Sequence, residues 1–480
     1  MSVADSRLTP GTLRDRTMVL FGLLIYTACA GLSYLTGITI LPLVLIALPA
    51  LLYFGFKAVQ VPFLMLILIS VASYLGNMAN VIEDGLIPIS LFQIAYVAGL
   101  GVFMMNRLIT GNPRIKISGI ELELLLLMAF VFFTTIYTGN QADGLFYATR
   151  FLVLSLFLYL ILNTIESSKQ MLMLFGILVG VSLVLAVLSI RQGLMNPEAA
   201  ALSILMDGLG PIGARGRVSH SDPNIFATHF FIPIAFIVCL VISQIKFVYK
   251  AGIAVLLPIL LLGLMATYSR SAWVSAIVIV VIIAVVYRQY KFFVIGALGI
   301  FVALLVLPGI RESLVNVVMR FFEIFAGAAD DSSRMRIVLM YFAIRRFLES
   351  YLLGVGFRGF SHEFLKEHST FETFGVYEPH NVTYTVLVEM GIIGFLIFSF
   401  FLFRIYKAAW ENIKNSKNEI HKAFSVSVFA CLVGFAVFYQ FLGGGFTDNN
   451  IWLLVGLTFV LKHTIIPESG KKDYDEFVKD

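Results

Sequence analysis

The amino-acid sequence predicts an all-α polytopic membrane protein with about 14 transmembrane helices and a long helical loop on one face. Three observations predict it. Apolar residues make up 59% of the 480 and charged residues 13%, where a soluble domain carries about 25% charge. Apolar runs of roughly 17–20 residues, the length that spans a bilayer as helix, recur along the whole chain. The bases then divide by type: 14 of the 15 lysines fall in loops and tails on one side, and Lys366 is the exception. Of the 19 arginines, 12 fall on the other side or within the membrane. Arg is the base suited to planar, bidentate gripping of phosphate and carboxylate, so the arginines suggest an anion site on that face.

The expected spans cover about residues 17–36, 38–56, 59–76, 86–105, 120–138, 145–163, 171–190, 225–243, 251–268, 272–287, 292–308, 382–403, 423–442 and 451–463. With the N-terminus inside, the inner loops hold Arg107, Arg114 and Lys116; Lys246 and Lys250; Arg288 and Lys291; then Arg404, Lys407, Lys414, Lys417 and Lys422. The positive-inside rule therefore makes that side the cytoplasm. The whole chain, 1–480, reads as a single integral membrane domain. It has outer loops at 191–224 and 309–381 and a cytoplasmic tail at 464–480. In the larger loop, Leu314, Val317, Val318, Phe321, Phe322 and Phe325 form an apolar stripe at helical spacing. Asp330, Asp331, Ser332 and Ser333 offer N-cap residues for a second amphipathic helix reaching about Tyr351.

Other classes are excluded along the way. Cys29, Cys239 and Cys431 all lie inside apolar runs, which rules out a disulfide framework and a cysteine metal site. The segment from Met1 to Arg16 has no cleavage signature, so the first span serves as an uncleaved insertion signal. The net charge of +5 reflects loop orientation and gives no ground for a nucleic-acid partner. A polysaccharide flippase or other transporter also has many spans and stays as the alternative from another class, although the chain shows no evident internal repeat and has the long outer loop.

Three constellations could carry chemistry. The first runs from Gly213 through Arg215, Arg217, His220 and Asp222 to Asn224, where glycines beside two arginines allow close backbone approach to a ligand. An ordinary loop pairing its arginines with Asp222 or with lipid headgroups would look the same. The second is Tyr268-Ser269-Arg270-Ser271, an Arg between two apolar runs with almost no loop. Such an Arg is costly and points to function, with snorkelling to the headgroups as the alternative. Arg150 poses a weaker version of that question, with Asp143 as its nearest counter-charge. The third is Glu378-Pro379-His380-Asn381, followed by Glu389, Gly391 and Gly394, with His380 where the long loop re-enters the membrane. His380 can exchange a proton near neutral pH or serve structurally. Gly354-Val-Gly356-Phe-Arg358-Gly359 matches a dinucleotide fingerprint by letters but lacks the preceding strand. His362 and His368 are six apart and cannot share a helix face as metal ligands. Asn381-Val-Thr383 is a glycosylation sequon only by letters.

Taken together, these residues resemble the bacterial O-antigen ligase and O-antigen polymerase superfamily. His380-Asn381, nine residues, Gly391, two residues and Gly394 look like its signature, after a long loop. Arg217 before Asp222-Pro-Asn224 resembles its first Arg motif, and Ser269-Arg270-Ser271 its second. Arg334 or Arg336 with the Gly354–Gly359 segment resembles the loop pattern. The likeness covers about residues 210–400. It implies a GT-C-like fold in the bacterial inner membrane and a periplasmic active site. It also implies inverting, metal-independent transfer of a glycan from undecaprenyl pyrophosphate, without a cofactor, to an acceptor hydroxyl. Carried over, Arg217 and Arg270 bind pyrophosphate and His380 activates the acceptor or stabilises the transition state. Arg215, Asn381, Arg334, Arg336 and Arg358 are supporting candidates. The acceptor is a second lipid-linked chain for a polymerase, lipid A–core for a ligase or pilin in a third branch. The span count favours a polymerase slightly. Membrane lipids and a chain-length regulator are the further partners this reading allows.

Overall fold

The computed structural model describes residues 53, 55–76, 80–82, 89–112, 114–193, 218, 222–291, 331–368, 377–445 and 447–467. Met1–Met65 with Val97–Pro113 form one compact unit, and Leu66–Tyr96 with Arg114–Asp480 form the other. Helices α1 (Phe63–Leu75) and α2 (Leu91–Thr110) each have residues in both units. Within the first unit, Asn106 donates to the Val59 carbonyl at 2.7 Å. Between α1 and α2 lies a short antiparallel ribbon, β1 (Asn80–Ile82) with β2 (Ile89–Ser90).

The remaining helices of the second unit are α3 (Glu121–Thr135), α4 (Gln141–Thr164), α5 (Ser168–Gly193), α6 (Pro223–Ile242) and α7 (Phe247–Met265). They continue with α8 (Arg270–Val286), α9 (Asp331–Glu349), α10 (Phe360–Glu367), α11 (Val382–Asn415), α12 (Glu419–Phe438) and α13 (Asn449–Val460). Among the described residues seven helices are long and apolar enough to cross a membrane: α2, α4, α5, α6, α7, α11 and α12. This corrects the expectation of about 14 spans. Hydropathy averages over points where the helix stops. The runs at 59–76, 120–138, 272–287 and 451–463 fold as α1, α3, α8 and α13, of 13, 15, 17 and 12 residues. At about 1.5 Å per residue, α1 falls well below the ~30 Å hydrocarbon core, while α13 continues as a π-helical turn over Leu461–Ile465. The runs at 17–36 and 292–308, nearly all of 38–56, and the 311–325 stripe lie outside the described residues.

Helix α12 packs against α6, α8, α11 and α13, while α4 packs on α13, α3 on α11 and α5 on α7. The central α6 is almost wholly apolar from Phe230 to Ile242 and is largely buried, as such a pattern requires. Glycines let neighbouring helices approach closely. A Cβ on Gly263 would lie 2.6 Å from Ala186, one on Gly434 2.5 Å from Ile279, and one on Gly456 2.8 Å from Ile161.

Side-chain links join one set of helix ends. Lys116 reaches Thr464 at 3.1 Å, His463 bonds the Ser118 carbonyl at 2.9 Å, Lys462 pairs with Glu411 and Arg404 with Glu123. Glu419 accepts from the Gln244 amide at 2.9 Å. Helices α6, α8, α11 and α13 all begin at the opposite end, where the sequence motifs meet. There α9 and α10 pack through Leu339, Phe342, Phe360 and Phe364 onto Val388 of α11. Arg345 and Arg346 tie them further to Glu349, Glu363 and Glu367.

Candidate functional site

Two motifs 45 residues apart are joined by a hydrogen bond. Asp222 caps α6, accepting from the Asn224 backbone amide at 2.7 Å and its side-chain amide at 2.9 Å, with Pro223 in the first turn. The Asn224 side-chain oxygen then accepts from the Ser269 hydroxyl at 2.8 Å. Ser269 is fully buried and occupies the N-cap position of α8, but its hydroxyl makes no cap bond there. Ser269 therefore leaves the first-turn amide N–H groups of α8 without a cap from its own side chain, and Arg270 is the first residue of that turn. A cation at a helix N-terminus opposes the helix dipole, and an anion placed between them satisfies both.

His380 enters from the far side of the chain. Its φ is +52°, a conformation a non-glycine residue rarely adopts and one that collects at functional sites. Both flanks hold it there. Pro379 is buried, and Asn381 caps α11 by accepting from the Tyr384 amide at 3.1 Å while donating to the Gln440 carbonyl at 3.0 Å. The Val382 amide bonds the Tyr439 carbonyl at 2.8 Å, and Thr383 bonds the Gln440 side chain at 3.0 Å. The His380 Nδ1 atom is buried without a hydrogen-bond partner among the described residues. Burial pushes its pKa below the usual histidine value, Arg336 of α9 pushes it further down, and Glu378 and Asp222 oppose them. The imidazole thus feels charges from the loop before α11, from α9 and from the start of α6.

The Gly354–Gly359 segment has a role that its letters do not suggest. Helix α11 breaks at Gly391, whose φ is 67° and ψ is −170°. The turn from Leu352 to Gly356 packs its backbone into the break. The Ile392 amide donates to the Leu352 carbonyl at 2.9 Å, Val355 to Val388 at 2.8 Å and Gly356 to Glu389 at 2.9 Å. A Cβ on Gly354 would lie 2.6 Å from the Gly391 nitrogen, and one on Gly356 2.6 Å from Thr138 at the end of α3. The glycines are thus needed for close backbone packing between α3 and the break.

Arg358, next in that segment, has φ 62° and a mostly buried side chain. It pairs with Glu378 and, at 3.5 Å, with Asp143, and lies 4.0 Å over the Tyr147 ring. Asp143 therefore takes Arg358 as its ion partner, where the sequence suggested Arg150. Of the other expected site residues, Arg270 and Arg336 are half-buried at this end. Arg334 is in the first turn of α9, and its side chain lies outside the description, as do Arg215 and Arg217 entirely. Sequence reasoning passed over Gln440, Tyr147 and the Tyr439 hydroxyl, which donates to Asp448 at 2.5 Å. Each sits in a run that reads as ordinary span or loop, and none has a local signal.

Among the described residues, no group of three or more His, Cys, Asp and Glu side chains is placed to hold a metal ion. The family model Wzy_C, described as O-antigen ligase, matches residues 253–399, a stretch that contains Ser269, Arg270, Arg336, Arg358, His380 and Gly391. A comparison with the curated proteins found no match.

Proposed function

Starting from membership in the O-antigen ligase and polymerase superfamily, which the match over residues 253–399 supports, we propose that this membrane protein transfers a glycan from a polyprenyl-pyrophosphate carrier to an acceptor hydroxyl. One observation carries the reading. A helix start whose N-cap Ser269 makes no cap bond, with Arg270 as its first residue and Ser269 hydrogen-bonded to the Asp222–Asn224 turn, shares one end of the bundle with a strained His380 whose Nδ1 has no hydrogen-bond partner among the described residues. This is an anion-binding corner beside a proton acceptor. Glycan transfer from a pyrophosphate carrier needs both.

In the proposed reaction the acceptor oxygen attacks the anomeric carbon from the face opposite the carrier, inverting it. The glycosidic bond to the carrier breaks, and the electron pair leaves with the pyrophosphate. Arg270, the amides of α8 and Arg336 stabilise that developing charge, with Arg217 and Arg215 as further cations from the segment before Asp222. The acceptor proton passes to Nδ1 of His380. The lowered pKa fits this step, because the imidazole is then neutral and free to accept at neutral pH. Asn381 sets the direction of His380 by capping α11, and Arg358 acts through Glu378. The lysine-rich end faces the cytoplasm and the His380 end the periplasm in this reading.

The span count was the sequence argument for a polymerase over a ligase, and it falls with the corrected count. The acceptor decides between them. Purified protein is given lipid-linked oligosaccharide donor with either lipid A–core or a second lipid-linked chain. Consumption of one acceptor, with release of carrier pyrophosphate, is the expected result. No release with either acceptor would overturn the proposal.

A further inference from the structure

The break in α11 contains a buried carboxylate that the proposed reaction does not use. Glu389 is only 5% exposed, two residues before Gly391. A buried carboxylate needs donors or a counter-charge, and Glu389 has both. Its carboxyl lies within electrostatic reach of the Arg358 guanidinium and of the Arg358 and Phe360 backbone amides. Its own backbone carbonyl takes the Gly356 amide at 2.9 Å. The backbone of Glu389 therefore holds one end of the Gly356–Phe360 turn, and its buried side chain lies toward the other.

Arg358 extends the chain of contacts. It pairs with Glu378, Tyr147 and Asp143 close two of its other sides, and the charge of Glu389 acts on it from the break. Glu378 also packs against Gly443, where a Cβ would lie 2.9 Å from the Glu378 Cβ. Two residues later comes His380, left-handed and, among the described residues, without a hydrogen bond to fix its Nδ1. The imidazole has no side-chain orienter of its own among the described residues. Its place depends on the segment that carries it, and Arg358 is the ion pair on that segment.

We propose that Glu389 is a positioning residue: from inside the break in α11 its carboxylate fixes the Arg358 turn, and Arg358 fixes Glu378 and with it the imidazole of His380. The proposal rests on the glycan-transfer reading for its kinetic consequence only. Its structural consequence, the environment of His380, can be read without any turnover.

The test follows the modification of His380 by diethyl pyrocarbonate against pH, quantified on the His380 peptide by mass spectrometry in the full-length protein in detergent. The groups facing His380 are Arg336 of α9, Asp222 at the start of α6 and Glu378 on its own segment. Glu378→Gln removes an influence that raises the pKa, so the midpoint moves down. Glu389→Gln releases Glu378 from its place and is expected to move the midpoint the same way, with the double variant no further than either single one. Arg358→Lys keeps the charge but loses the fork, and is expected to act alike. This third variant answers the question if Glu389→Gln does not fold. In the transfer assay, Glu389→Gln is expected to lower kcat about tenfold and to change KM for the lipid-linked donor by less than about twofold. A wild-type midpoint in both Glu389→Gln and Arg358→Lys, or full additivity with Glu378→Gln, would overturn the proposal. The modification readout decides it even if the transfer assay refutes the glycan reading.

Discussion

Gly391→Ala tests whether the break in α11 organises this end of the bundle. Gly391 has φ 67° and ψ −170°, a region essentially closed to residues with a side chain, and forcing Ala into it costs about 1–3 kcal/mol. The new Cβ would also lie 2.5 Å from the carbonyl carbon and oxygen of Leu353 and would contact the Leu352 oxygen. These are backbone atoms and cannot swing aside, so the turn must move. Its bonds to α11 are Ile392 to Leu352, Val355 to Val388 and Gly356 to Glu389. At about 1 kcal/mol net each, losing all of them adds ~3 kcal/mol. The sum, about 4–6 kcal/mol, rivals the whole stability of many domains. We expect a fall in Tm of several degrees or more by thermal unfolding in detergent, and loss of transfer, because the displaced turn carries Arg358 away from Glu378. Gly176→Ala in α5 is the control, since a Cβ there meets nothing within 4 Å. A Gly391→Ala protein with the wild-type Tm and wild-type transfer would refute the reasoning.

Other expectations concern the chemistry. Arg270→Lys retains the charge at the start of α8 but not the planar fork, so transfer should be abolished while membrane insertion and Tm stay near wild type; normal product yield would remove Arg270 from the site. His380→Ala should lower kcat by about 10²–10⁴-fold, the usual contribution of a general base, without changing the elution profile on size exclusion; undiminished turnover would make His380 structural. The pKa of His380 lies below its ordinary value, so kcat/KM should be flat at neutral pH and fall as pH drops through the lowered value. Arg336 is one of the groups depressing it, so Arg336→Gln should move that acid limb to higher pH; an unmoved limb would place Arg336 away from His380.

How much of this was legible in the sequence differs from residue to residue. Arg270 stood out because a cation between two apolar runs is expensive anywhere, and His380 because it ends a long polar loop at the start of an apolar run. Both arguments are local. The number of spans was overread because hydropathy measures the length of an apolar run and not the length of helix within it, as α1 and α3 show. Arg358 was read as a candidate for an anionic ligand. Its pairing with Glu378 and Asp143 depends on a turn that enters the break at Gly391, and no periodicity encodes that. The glycines at 354, 356 and 391 were noticed as letters, but their purpose needs both partners of the contact in view.

By itself the sequence determined the helical membrane class and singled out polar residues that are expensive in an apolar setting. These follow from the price of putting a polar group in hydrocarbon, which each segment meets alone. The tertiary structure decided which residues face one another. It joined Asn224 to Ser269, set Arg336, Asp222 and Glu378 around His380, and pushed the Gly354 turn into the break beside Glu389. Those contacts link positions far apart in the chain. They are settled by close packing of backbone and by the need of buried charges for partners, neither of which a single segment can specify.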